Sequence, residues 1–149
     1  MTAINIPNKS DGDVWYAANL FKVLAWDNVA VSAGTATETT LSTVNLSANV
    51  ASSMLLIAAG CRGLHTSPSG NGAPQDDFTI KIDGVTRKVY SLHTYEYSTV
   101  LGQSSVGVVG YLEKDINFGT SHAITITGKS NTIEPGVGTQ VDWVIIVGV

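Results

Sequence analysis

The sequence predicts an all-β protein, an antiparallel β-sandwich of about eight strands preceded by an N-terminal arm and one short helix. Charged residues make up only 13% of the 149 residues, while the β-branched and small residues that suit a pleated sheet are abundant. From Val29 onward, apolar and polar residues alternate in short runs separated by Gly, Asn, Asp and Ser. A chain of this length buries roughly 70% of its unfolded surface, which is enough for a core without a disulfide or a metal.

The first twelve residues predict an extended arm. They contain Pro7 and end in the turn-prone stretch 8–12, so neither a helix nor a long strand is favoured. Arms of this kind become ordered when they dock on another surface.

The sequence pattern predicts the helix over residues 13–25, since Asp11 or Asp13 can cap it and no Gly or Pro interrupts 14–24. Its apolar side chains surround the axis instead of forming one stripe, so the helix needs cover on several sides. We therefore expect an anchoring segment, 1–26, ahead of a sandwich domain, 27–149. The expected contacts with other subunits are Val14, Trp15, Leu20, Phe21 and Leu24.

The strands are expected near 29–33, 38–47, 53–61, 77–83, 86–92, 104–113, 121–128 and 140–149. The clearest pair is a hairpin in which Asp83 and Gly84 supply the positive φ of a tight turn. Glycines inside strands, such as Gly107 and Gly110, are expected to relieve crowding or mark a bulge.

The closing strands carry a strong hydrophobic pattern. Ile124 and Ile126 alternate with threonines, so we expect both isoleucines to point inward. The last strand is apolar on both faces in its middle, which predicts a central position or a subunit contact. Alternation places Val141, Trp143, Ile145, Val147 and Val149 on one face, and Trp143 and Ile145 join the expected interface.

Composition excludes several classes of function. A net charge of −4 and a pI near 5.1 argue against nucleic acid, which clustered Lys and Arg would bind. The apolar runs 54–61 and 143–149 are far shorter than the ~20 residues of a membrane helix, so no membrane span is expected. The opening residues lack the apolar region of a signal peptide, which predicts synthesis in a cytoplasm. The single cysteine, Cys61, excludes an intrachain disulfide and is expected to be a small buried hydrophobe.

No catalytic constellation is evident, so we expect no enzyme activity, no cofactor and no metal. His65, His93 and His122 form no metal-ligand motif by spacing, although a composite site across strands remains an alternative. Asp76 and Asp77 precede a strand and lack the ligand count of a calcium loop. A glycan hydrolase with paired carboxylates ranks last among the alternatives, because most carboxylates stand in turns.

An aromatic cluster offers a second kind of site. His93, Tyr95 and Tyr97 share one face if their segment is a strand, and exposed aromatic residues bind glycans and proteins. Cross-strand packing or a subunit interface is the competing interpretation. The loops 66–75 and 131–139 are expected to be exposed connections, with recognition as the alternative.

Two segments carry a family resemblance. Gly12-Asp13-Val14-Trp15-Tyr16-Ala17 resembles the Gly-Asp-x-Trp-x-Ala lead-in of tailed-bacteriophage virion proteins, with Phe21 where that motif ends in Asn. Residues 121–128 and 141–146 resemble the closing strands of jelly-roll modules on phage fibres and carbohydrate-binding domains.

The resemblance implies a virion structural subunit of a fibre, tail or head-decoration type, with a jelly-roll-like sandwich facing outward. It further implies a homotrimer located in the virion, with other virion proteins as partners. The alternative function is a lectin-like module that attaches to a cell-surface glycan. The residues support only part of this independently, since excess apolar surface predicts buried contacts in a homo-oligomer without setting the copy number.

Overall fold

The computed structural model describes residues 22–27, 31–33, 37–50, 52, 54–65, 75–93, 103–130 and 138–148. These parts of the chain form nine strands and contain no helix. The strands are β1 Lys22–Asp27, β2 Val31–Ala33, β3 Thr39–Leu46, β4 Leu55–His65, β5 Gln75–Ile82, β6 Val85–His93, β7 Gln103–Glu113, β8 His122–Ser130 and β9 Gly138–Gly148.

The strands build two antiparallel sheets. The first sheet has the order β1-β9-β4-β7, and the second has the order β3-β8-β5-β6. The short strand β2 pairs with residues 139–141 of β9, while β1 pairs with 144–148 of the same strand. β1 and β2 therefore act as one interrupted strand at one edge of the first sheet. Among the nine described strands, the successive pairs that belong to the same sheet are β1–β2 and β5–β6.

The all-β prediction is confirmed, and each of the eight expected strands corresponds to one of β2–β9. The expected central position of the last strand is also confirmed, since β9 lies between β1 and β4. β8 has the expected alternation, with Ile124 and Ile126 fully buried.

The predicted helix is wrong over its last four residues, which belong to β1; residues 13–21 lie outside the described parts. Val23 pairs with Val147, and Trp26 pairs with Ile145, so β9 supplies the backbone partners of this segment. A short apolar run does not distinguish a helix from a strand until such a partner is known. The boundary expected at 26 consequently falls inside β1.

The predicted hairpin between β5 and β6 is confirmed. Ile82 pairs with Val85 across a two-residue turn, in which Asp83 has φ 52° and Gly84 has φ 78°. Positive φ at both positions is the type I′ geometry, whose twist matches that of the paired strands.

The core fills the space between the two sheets. Its largest side chain is Phe78, which is fully buried, and seven isoleucine and leucine side chains from both sheets are at most 1% exposed. The core residues are Leu41, Val44, Leu46, Leu55, Ile57, Ala59, Cys61, Phe78, Ile80, Ile82, Val109, Ile124, Ile126, Val141, Val144 and Ile146.

A bulge in β9 changes which side chains face the core. Gly60 pairs with Trp143 and the next residue, Cys61, pairs with Val141, so Asp142 is an extra residue without a partner of its own. An extra residue reverses the alternation. The prediction that Val141 shares a face with Trp143 is therefore wrong: Val141 is fully buried, whereas Trp143 is exposed.

Side chains of β6 close one side of the sandwich against β7. The Tyr90 hydroxyl donates to the Gly110 carbonyl. A side chain at Gly107 would meet Leu92 at 2.8 Å, so the expectation that this glycine relieves crowding is confirmed. At the end of β7, the Arg87 Nε lies 3.2 Å from the buried Glu113 carboxylate. These contacts join β6 and β7, the edge strands of the two sheets on this side.

Candidate interaction face

The outer surface of the first sheet is apolar, and we call it the apolar face. Six of the eight exposed large hydrophobic side chains among the described residues lie on it. They are Val23 (53% exposed), Leu56 (38%), Val106 (69%), Val108 (67%), Leu112 (50%) and Trp143 (39%). The partly exposed Ala58, Ile145 and Val147 lie between them.

Strand register makes this surface continuous. Leu56 of β4 pairs with Leu112 of β7 on one side and with Val147 of β9 on the other, and Val147 pairs with Val23 of β1. Paired residues project to the same side of a sheet. One apolar row therefore crosses four strands.

The neighbouring rows are built around small residues of β4. Ala58 pairs with Gly110 and Ile145, and Gly60 pairs with Val108 and Trp143. A Cβ added at Gly60 would lie 2.6 Å from the Trp143 Cε2 atom, so the indole ring rests directly on the glycine. The ring thereby forms a flat apolar surface beside Val108.

The exposed area of these side chains is large for a small domain. Their exposed fractions correspond to roughly 600 Å² of apolar surface, at the upper end of the ~300–600 Å² found for the largest patch of a typical monomer. Patches of this size mark interaction sites more often than ordinary surface.

The outer surface of the second sheet is mainly polar by contrast, and Val89 is its one exposed large hydrophobic side chain among the described residues. Thr43 and Thr125 pair across β3 and β8, with their hydroxyl oxygens 3.3 Å apart. The Lys81 Nζ lies 2.8 Å from the Glu38 carboxylate. That ammonium group, together with the hydroxyl of Thr127, lowers the pKa of Glu38. Of the two outer surfaces, the apolar face of the first sheet is therefore the one that is suited to burial against a partner.

A polar group of three side chains adjoins the indole of Trp143, and we call it the polar trio: Arg62, Asp142 and Gln140. The Arg62 Nη2 donates to the Asp142 Oδ2 at 2.9 Å, and the Gln140 Nε2 donates to the Asp142 Oδ1 at 2.7 Å. Asp142 reaches this surface because it is the bulged residue of β9. The Arg62 and Asp142 side chains remain 40% and 25% exposed.

The expected interface residues divide into three groups. Trp143 and Ile145 lie on the apolar face. Leu24 is half-buried and packs against the core of its own chain, so part of its surface is already covered. Val14, Trp15, Leu20 and Phe21 lie outside the described residues.

The structure adds residues that the sequence analysis did not select, chiefly Leu56, Val106, Val108 and Leu112. A signal for them existed. The segments 54–61 and 106–112 are apolar at consecutive positions, the same property that drew attention to the last strand.

The second predicted site falls mostly outside the described parts of the chain. His93 is the last residue of β6, and its side chain is not described. Tyr95 and Tyr97 lie outside the described residues altogether. The glycan contact proposed for them stays a prediction.

The adjacent carboxylates of Asp76 and Asp77 lie in different surroundings. Asp76 is fully buried and faces inward, whereas Asp77 faces outward and accepts from Gln75 and Ser91 at 3.0 and 2.6 Å. The two adjacent carboxylates therefore point to opposite sides of β5 and cannot hold one cation together. No group of three or more His, Cys, Asp or Glu residues in the described ranges is placed to hold a metal.

His122 and Cys61 differ sharply in their surroundings. The His122 Nδ1 lies 2.6 Å from the Asp83 Oδ2, and its Nε2 lies 2.7 Å from the Asn117 carbonyl oxygen. Because both partners are acceptors, they raise the pKa of His122, the Asn117 carbonyl most strongly. Cys61 is buried as expected, and desolvation raises the pKa of its thiol to about 12, which makes it unreactive at neutral pH.

Comparisons with known proteins add a likeness of fold. No protein-family model matches the sequence, and no curated protein matches it. The solved structure of dimeric latent PorU from Porphyromonas gingivalis is similar, with a TM-score of 0.50 and 11% sequence identity. The similar region covers 80% of this chain and 10% of that one. The chain thus shares a two-sheet fold with one part of a much longer protein.

Within the described residues, no helix has the length and hydropathy needed to cross a membrane.

Proposed function

We propose that this protein is a non-catalytic structural subunit that assembles with further copies of itself by burying the apolar face. The observation that carries the proposal is the contrast between the two outer surfaces. Roughly 600 Å² of exposed apolar side chain lies on the first sheet, close to the ~800 Å² per partner of a stable interface. The second sheet carries threonines and ion pairs instead.

The assembly proposed is the virion of a tailed bacteriophage, with the subunit in a fibre, a tail or a head decoration. The motif at residues 12–17 and the closing strands support it by resemblance, which also implies a trimer. The strand orders β1-β9-β4-β7 and β3-β8-β5-β6 support a jelly roll, in which the chain alternates between two sheets through two Greek keys. Viral capsid domains and lectins both use that architecture, so the fold alone does not choose between them.

The docking role expected for the N-terminal segment is kept for residues 1–21. Strand β1 already pairs with β9 along residues 22–27. The segment available to contact other virion proteins is therefore the part that precedes β1.

Light scattering of the purified protein tests the assembly. The wild-type chain is expected to have a multiple of the 15.6 kDa chain mass. Val108→Lys is expected to shift the mass toward one chain, because an ammonium group buried in an apolar contact costs several kcal/mol. Val89→Lys is the matched control, because Val89 is 50% exposed on the outer surface of the second sheet.

The control variant is expected to keep the wild-type mass. A wild-type chain that is monomeric at high concentration refutes the proposal. So does a Val108→Lys variant that folds, as judged by circular dichroism, and still has the wild-type mass.

A further inference from the structure

We propose that the polar trio fixes the register in which a second copy of this chain packs on the apolar face. The inference rests on the proposed self-assembly and names what orients it. The trio is the one place on this face where described side chains carry charge, and it lies directly beside Trp143. Tryptophan and arginine are the residue types that most often dominate the energy of protein interfaces.

A second copy is the partner that this surface fits best. Arg62 and Asp142 give the described part of the face a net charge of zero, so a strongly acidic or basic partner has nothing to neutralise. A copy of the same chain brings an equally balanced face of the same apolar area. Both surfaces are then desolvated together, with each charge already paired at 2.9 Å.

The trio has hydrogen-bonding capacity left for a partner. A guanidinium group carries five N–H donors, whereas Arg62 makes one side-chain hydrogen bond to Asp142 in the described residues. Its Nε is buried without a hydrogen-bond partner among the described residues, but the side chain as a whole is 40% exposed, so the donors open to a partner are those of the terminal nitrogens. When the face is covered, these donors need acceptors from the second copy. Each copy brings the same acceptors, namely the Asp142 carboxylate and the side-chain carbonyl of Gln140.

Register is the property that apolar contacts alone leave loosely determined. When one sheet slides over another by two residues, about 7 Å along the strands, each outward side chain arrives opposite the next outward position of the partner. Valines and leucines then meet other valines and leucines. The same slip removes Arg62 from its acceptors and leaves buried donors unsatisfied, which is costly. A single polar group in an apolar contact specifies register in coiled coils for the same reason.

Disulfide trapping tests the inference. Three single variants along β7, Val106→Cys, Val108→Cys and Leu112→Cys, are each oxidised alone and mixed with Ile145→Cys chains from β9. A single variant oxidised alone traps copies that meet face to face through the same residue. A mixture traps copies in which β7 of one chain meets β9 of the next, as in a ring. The native thiol does not interfere, since Cys61 is fully buried and its pKa is raised to about 12.

In the otherwise wild-type chain, one combination is expected to be trapped about tenfold more than the others, a difference that corresponds to about 1.4 kcal/mol. In the double variant Arg62→Met/Asp142→Leu, the yields are expected to become similar, while light scattering still shows association. Replacing both charged partners together avoids leaving one charge buried alone. Circular dichroism establishes that the double variant is folded.

Three outcomes overturn the inference: equal yields in the wild-type background, an unchanged preference in the double variant, or no trapping in a chain that is associated. In each of these cases the proposed function can stand, because its own test is whether Val108→Lys dissociates the assembly. If the wild-type protein is monomeric, the proposed function fails as well, so the two failures are distinguishable.

Discussion

The substitution Gly128→Ala tests how tightly the two sheets pack. Gly128 lies on the inner side of β8 and is buried. A methyl group there would lie 2.5 Å from the Leu41 Cδ1 atom and 2.8 Å from the Thr139 Cβ atom. The Thr139 Cβ belongs to a buried residue of the opposite sheet, so it cannot yield without movement of β9.

The expected cost follows from two opposing terms. Overpacking a well-filled core costs about 1–3 kcal/mol, and replacing a strand glycine by alanine returns about 0.5–1 kcal/mol of backbone entropy. Because the contacts at Gly128 are all shorter than 3.0 Å, the steric term lies in the upper part of its range, about 2–3 kcal/mol. The net loss is then about 1–2.5 kcal/mol, which lowers Tm by roughly 3–8 °C for a domain of this length.

Gly110→Ala is the matched control for Gly128→Ala. The nearest atom to a Cβ at Gly110 is the Ile57 carbonyl oxygen at 3.7 Å, an ordinary contact, and this glycine is exposed in β7. Among the described glycines only Gly84 has positive φ, so neither site resists a side chain by its backbone conformation. Because Gly110 lies on the apolar face, both glycine variants are compared in the Val108→Lys background, in which assembly is expected to be lost. There the control is expected to be neutral or more stable by up to about 1 kcal/mol.

Urea unfolding, followed by tryptophan fluorescence at one protein concentration, measures both variants, because assembly makes stability depend on concentration. A Gly128→Ala protein as stable as its Val108→Lys parent would show that the sheets separate at little cost. Equal losses in both variants would show that steric contact at Gly128 is not the cause.

Two further outcomes are expected. Between pH 6 and 8 the wild-type Tm should fall as pH rises, and the fall should be smaller in His122→Asn. The reason is that Asn117 and Asp83 raise the pKa of His122 above its ordinary value of 6.5, so the stabilisation is complete below that value and is lost as pH rises through the folded pKa. A wild-type Tm independent of pH over this range would refute it. Glu113→Ala should lower the free energy of unfolding by about 1–3 kcal/mol, because it removes the acceptor of the Lys114 and Asp115 backbone amides, each at 3.0 Å. The loss of the ion pair adds little, since Arg87 is 36% exposed and water solvates its charge; a loss below about 0.5 kcal/mol in urea unfolding would contradict this role.

The strand positions followed from local signals. Alternation marked Ile124 and Ile126, and the Asp83–Gly84 dipeptide marked the turn, because both depend on residues that are neighbours in the chain. The apolar character of β9 on both faces also indicated its central place. These features require no knowledge of which strands are paired.

The helix prediction was wrong at 22–25 for the opposite reason. Those residues become a strand because β9, more than a hundred residues later in the chain, supplies their backbone partners. The face of Val141 was mispredicted because the bulge at Asp142 exists only through its pairing with β4.

By itself, the sequence determined the all-β character of the described residues, the positions of eight of the nine strands found there, and an excess of apolar residues in the last strand. Only the tertiary structure decided that Leu56, Val106, Val108 and Leu112 share one uncovered surface with Trp143. A period of two divides a strand into two sides, but the pattern does not state which side another layer covers. That choice belongs to the stacking of the two sheets, which leaves the outer side of the first without cover from the second.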